Sequence, residues 1–184
     1  MDTKRQAIIE TAMKLFYAHG FHAVGIDRII AESGVAKMTM YKYFPSKRLL
    51  INTVLEERDH FFQTSLENFV AKAKSTEDKI KAIFEWHDRW LHERSFNGCL
   101  FIKAALEFAD PKDEIHKFSK LHKQRILKFI SDILKDDMDT GTAQELGWQL
   151  LLLLEGAIAT AQIFGDRDAA KTAWQAATTL LKTA

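Results

Sequence analysis

The chain has 184 residues, 47% of them hydrophobic, with eight Gly, two Pro, one Cys and a formal net charge of +1. That length suits one good core or two small domains sharing a helix, and long amphipathic runs with few breakers specify an almost wholly helical fold. A single cysteine excludes an internal disulfide framework, nothing like a signal peptide precedes the first amphipathic run, and a soluble cytoplasmic protein is expected.

The first helix is expected over residues 3–19, with Ile8, Ala12, Leu15 and Phe16 on one stripe and Gly20 ending it. Residues 26–50 then read IDRIIAESGVAKMTMYKYFPSKRLL. Ile26, Ile29, Ile30 and Ser33 share a helical face, and Gly34 sits where a left-handed residue closes a helix. A helix of about two turns follows over 37–44, cut at Pro45, which lacks a backbone N–H. Met40 and Phe44 face inward and leave Lys37, Thr39, Lys42 and Tyr43 outside. Cations and hydroxyls on a short helix after a glycine turn are what a helix-turn-helix presents to a DNA major groove.

Ser46 caps a long helix to about residue 74, the natural lever between two domains. Thr76 is the expected cap of the next helix, which runs to about residue 93. A short, nearly uncharged helix is expected over 99–108 and a long amphipathic one over 113–135. The helix over 140–164 is apolar on nearly every face, and Asp166 caps a last one over 167–181. The run of five leucines at 150–154 is too short to span a bilayer. The charge is uneven: residues 1–52 carry eight Lys and Arg against four acids, a net of +4, which leaves −3 for the rest. A basic end on a faintly acidic body suits one DNA-facing module.

The first fifty residues resemble the DNA-binding domain of the TetR family of transcriptional regulators. The resemblance rests on Ala12, Leu15, Phe16, Gly20, Phe21, Ile29, Gly34, Val35, Thr39, Tyr41, Tyr43, Phe44, Ser46, Lys47 and Leu50 in one register. Val24 and Gly25 replace the usual hydroxyl pair before the second helix, and Ala36 replaces a Ser before the third, so two side-chain caps are missing. The resemblance implies an all-α homodimer of about nine helices per chain. Residues 1–50 would form the DNA-binding domain and residues 51–184 the effector-binding and dimerisation domain.

In that frame Lys37, Met38, Thr39, Tyr41, Lys42 and Tyr43 face a palindromic double-stranded operator, and Lys47 clamps a phosphate at a helix start. A small apolar or aromatic effector would sit among Trp86, His87, Trp90, Cys99, Phe101, Leu106, Phe118, His122, Arg125 and Trp148, a mixture of apolar walls and a few polar points. A helix apolar all round needs cover on both sides. A second subunit supplies it in this reading, at Trp148, Leu152, Glu155, Ala159, Trp174, Ala177 and Leu181, with Glu155 a buried carboxylate. No cofactor, metal or membrane partner is expected. The Glu57-x-x-His60 and Asp113-x-x-His116 pairs lack the further carboxylates of a di-iron bundle. Cys99 reads as a small hydrophobe. No G-x-S-x-G, H-E-x-x-H or phosphate loop points to an enzyme. The resulting expectation is a repressor released by its ligand. The alternatives are a ligand-binding helical protein without an operator and, further off, a helical enzyme.

Overall fold

The computed structural model describes residues 3–183, and Met1, Asp2 and Ala184 lie outside the described residues. Among the described residues there are nine helices: α1 Thr3–His19, α2 Ile26–Ser33, α3 Lys37–Tyr43, α4 Lys47–Val70, α5 Thr76–Leu91, α6 Leu100–Glu107, α7 Glu114–Leu134, α8 Thr140–Phe164 and α9 Ala169–Thr183.

Local chemistry sets most of these boundaries. Gly34 closes α2 at φ 68°, a conformation that only glycine adopts without strain, and donates its N–H to Ile30 O. Ser46 Oγ accepts from Leu49 N at 3.2 Å and starts α4. The α5 cap is Ser75, which accepts from Asp78 N at 3.1 Å, and not Thr76, the expected one. Asp139 caps α8 by accepting from Gly141 N and Thr142 N. α9 begins two residues later than expected, because Asp166 caps a turn and the Asp168 carbonyl takes the first helical bonds. No side chain caps α2 or α3, whose N-caps are Gly25 and Ala36.

The chain divides into two compact units, one formed by the residues up to Phe61 with Cys99–His122, the other by Phe62–Gly98 with the chain from Lys123 onward. The first unit therefore takes in α6 and the start of α7 besides the N-terminal helices. Its core is built on Ile8, Phe16, Phe21, Val24, Ile29 and Met40, each fully buried. Val24 replaces a hydroxyl in the family pattern and serves packing instead.

In the second unit α5, α8 and α9 pack on one another. α8 buries one stripe, including Leu146, Leu150, Leu154 and Ile158, and exposes another. By length and composition this 25-residue helix is long and apolar enough to cross a membrane, although the leucine run within it is short. Its inner stripe is spent on packing against α5 and α9. Ala169, Ala170, Ala173 and Ala177 face inward on α9, so that helix lies close to its neighbours.

Candidate nucleic-acid interface and ligand-binding region

The sequence of α3 leaves little choice of face. Met40 and Phe44 are buried against the first unit's core, so the other side of this seven-residue helix meets solvent. Lys37, Met38, Tyr41 and Lys42 are exposed, with Met38 at 87%, while Thr39 and Tyr43 are half-buried. Lys37 Nζ lies 3.4 Å from Asp27 Oδ1 on α2, a solvated pair that contributes little stability and is readily exchanged for another anion. The Lys42 ammonium lies 5.9 Å from the Tyr43 ring.

Lys47 is half-buried in the first turn of α4, and its Nζ donates to His22 O at 3.4 Å. Burial pulls this ammonium below its ordinary 10.5, against the pull of the nearby Glu107 carboxylate. Arg48 is bound to Asp113 Oδ1 at 2.8 Å, which raises the guanidinium and holds the Asp113 carboxyl below its ordinary 3.8. The α1–α2 turn, which sequence reasoning left without a partner, is held by Glu107 of α6. Phe21 N and His22 N both donate to that carboxylate, at 2.8 and 2.6 Å. A contact 86 residues apart in sequence carries no local signal.

The ten residues expected around an effector divide between the units. In the first unit His122 Nδ1 lies 2.6 Å from Asp59 Oδ1, both side chains are buried, and the imidazole stacks on Phe101 at 3.5 Å between centroids. Cys99 is buried at the start of α6 and Phe118 is half-buried on α7. Leu106 is 73% exposed on the outer face of α6 and lines no interior, which corrects the expectation. The α6 stripe that faces the core is Leu100, Phe101 and Ala104.

In the second unit Trp86, His87 and Trp90 are buried on α5. Phe62 meets the Trp86 ring edge-on at 4.6 Å, and Trp90 meets Phe96 at 5.2 Å. The Trp86 indole donates to Ser65 Oγ at 3.0 Å, and His87 Nδ1 bonds Ile83 O at 2.8 Å. Arg125 edges a groove between α4 and α7 whose apolar floor is Phe62, Leu66, Ile126 and Phe129. Trp148 is 55% exposed and lines a different groove, between α7 and α8.

The outer stripe of α8 runs through Trp148, Leu152, Ala159, Ile163 and Phe164, all exposed. Glu155 is half-buried and paired with Lys123 at 2.6 Å, so it is not the buried carboxylate expected. On α9, Trp174 and Leu181 are half-buried, and Trp174 packs on Phe84 at 5.5 Å. Ala177 is fully buried within its own unit and offers no surface to an interface, contrary to expectation. One cluster has the composition of a cation site: Asp88, His92 and Asp168 bring their ligand atoms within 4.8 Å of one another. Lys171 already neutralises Asp168 from 2.6 Å, and two of the three residues are exposed.

Among the described residues, nine helices with an uncapped helix-turn-helix and its polar outer face have the form of a DNA-binding regulator. A family profile described as bacterial regulatory proteins, tetR family, matches residues 8–54, and one for the tetracyclin repressor-like C-terminal domain matches residues 76–177. The second match alone spans more than half of the chain, and the protein belongs to the TetR family of bacterial transcriptional regulators, not to an enzyme class.

Among curated relatives, an uncharacterized HTH-type transcriptional regulator of Bacillus subtilis, YuxN, is 27% identical over 157 residues, covering 85% of this chain but 53% of that protein. A fatty acid metabolism regulator protein of the same organism is 23% identical over 171 residues, covering 93% of this chain and 83% of that one. Among solved structures, SCO4454, a TetR-family transcriptional regulator from Streptomyces coelicolor, superposes with a TM-score of 0.92 at 28% identity, covering 98% of this chain and 95% of that one. A TetR-type regulator from Streptomyces avermitilis gives 0.85 at 26% identity, covering 100% and 98%.

Proposed function

We propose that this regulator works as a homodimeric repressor on a palindromic operator and leaves it when a small, largely apolar ligand binds. The observation that carries the reading is α3: two buried anchors, Met40 and Phe44, hold out Lys37, Met38, Thr39, Tyr41, Lys42 and Tyr43 on a helix short enough to enter a major groove. Lys47, at the start of α4, supplies a cation for a phosphate there.

The exposed stripe of α8 supports assembly. Trp148, Leu152, Ala159 and Ile163, spaced four, seven and four residues apart, share one helical face and leave an apolar surface that a second copy covers, with Glu155, Trp174 and Leu181 at its margin. Two copies present two recognition helices, and a palindrome rewards both. The groove over Phe62, Leu66, Ile126 and Phe129, edged by Arg125, and the aromatic cluster of Trp86, His87 and Trp90 support an apolar ligand. With a fatty acid metabolism regulator among the relatives, medium- and long-chain carboxylic acids belong in the first screening panel. A cytoplasmic location is part of this proposal.

The test is selection of duplexes from a random pool by the full-length protein, followed by titration of the winner across salt. Enrichment of an inverted repeat, with log affinity falling linearly in log salt, is the expected result. Enrichment of no sequence overturns the operator and favours a ligand-binding protein that has lost it.

A further inference from the structure

The α1–α2 turn contains a receptor for a carboxylate, and α6 fills it. Phe21 N donates to Glu107 Oε1 at 2.8 Å, and His22 N donates to Oε2 at 2.6 Å. His22 Nδ1 lies 3.0 Å from the same Oε2. Gly20 precedes the pair at φ 84°, and a Cβ there would lie 2.5 Å from Oε1, so the turn needs glycine both for its backbone and for the room the carboxylate takes. Lys47 reaches the His22 carbonyl from α4 and feels Glu107 as a neighbouring charge.

The next residue extends the grip. The Phe108 ring lies 4.8 Å from His22 and 6.0 Å from Phe21, with the Arg48 guanidinium 5.7 Å away. His116 of α7 lies 3.0 Å from the Phe108 carbonyl and ties the end of α6 to α7.

Glu107 occupies the last position of α6, where the helix dipole disfavours an anion. Solvent reaches the exposed His22, but Phe21 is fully buried and its amide depends on the carboxylate. A carboxylate held in an unfavourable place by two charge-assisted bonds and a dedicated glycine is an anchor for the segment that leads into α2 and α3.

We propose that Glu107 is a positioning residue for DNA recognition, fixing the angle at which α2 and α3 leave α1, so that a carboxylate from α6 is a working part of the DNA-binding unit. The role rests on the operator reading above. Plain electrostatics predicts the opposite sign for removal of Glu107: deleting an anion near a polyanion tightens binding to every duplex. Loss of a positioning group loosens binding to the operator alone.

The experiment uses full-length E107A and E107Q proteins, the selected duplex and a scrambled duplex, and amide hydrogen exchange at Phe21 and His22. In E107A both amides are expected to exchange faster, and operator affinity is expected to fall by about tenfold or more as two charge-assisted bonds go. Affinity for the scrambled duplex should hold within about twofold at an unchanged salt slope, because no phosphate contact is removed. E107Q, whose amide oxygen still accepts one bond, should fall between wild type and E107A, and it carries the comparison if the alanine variant fails to fold.

Faster exchange with undiminished preference for the operator overturns the role, as does tighter binding to both duplexes. A wild type that enriches no sequence overturns the operator reading and this role together. A wild type that does, beside an E107A protein that matches it, overturns the role alone.

Discussion

Two kinds of contact at the DNA face should separate at single residues. Lys47→Ala should weaken binding to all sequences and lower the salt slope by about one unit, since one phosphate partner goes. Thr39→Ala or Tyr43→Ala should instead shrink the gap between operator and random duplex, by about 1–3 kcal/mol where a base contact is lost. A Lys47→Ala protein with full salt dependence would remove that residue from the phosphate backbone. Asp113 gives a pH signature of its own. Its carboxyl titrates below the ordinary 3.8 because Arg48 hydrogen-bonds the ionised form. The stability it contributes is therefore complete above pH 3.8 and lost as pH falls through the lower folded value. Asp113→Asn should therefore lower stability at neutral pH, converge with wild type below that window and so flatten the acid limb of the stability curve, as urea titrations at several pH values would show.

At the scale of elements, α8 and α9 divide their labour differently from what periodicity suggests. Leu152 is 66% exposed in the middle of the outer stripe, so Leu152→Glu should give monomers in sedimentation with helix content intact and operator affinity collapsed. Ala177→Glu would bury a charge inside the subunit and report on stability alone. A Leu152→Glu protein that still sediments as a dimer would place the interface elsewhere. The error over Ala177 has a physical source. Alanine is as good at a close intramolecular helix crossing as at an interface, and spacing alone cannot choose between them. The helices themselves were legible, because Gly34, Pro45, Ser46 and the apolar stripes act locally. So was the face of α3, since Met40 and Phe44 leave only one outward side. The Glu107 anchor was illegible, because its partners are backbone amides with no residue identity to read. Leu106 misled for a related reason: the two charged residues of α6, Lys103 and Glu107, are turned onto backbone groups of Tyr17 and Phe21 and do not mark the outer face.

For the whole molecule, the proposal links two equilibria. A ligand that binds the DNA-free form more tightly by about 1.4 kcal/mol shifts operator occupancy about tenfold, and operator must weaken that ligand by the same factor. The buried Trp86 and Trp90 supply a fluorescence signal for titrations with and without duplex. Equal ligand affinity in the two titrations would uncouple the ligand region from DNA.

The missing caps on α2 and α3 carry a thermodynamic consequence. Helices this short are marginal alone, and Gly25 and Ala36 leave their first amides to water. A bound duplex is then also a folding ligand for the N-terminal helices, and their melting temperature should climb with duplex concentration by simple mass action. Calorimetry on the complex should show that rise, and restoring a hydroxyl with Ala36→Ser should raise the melting point of the free protein more than that of the complex.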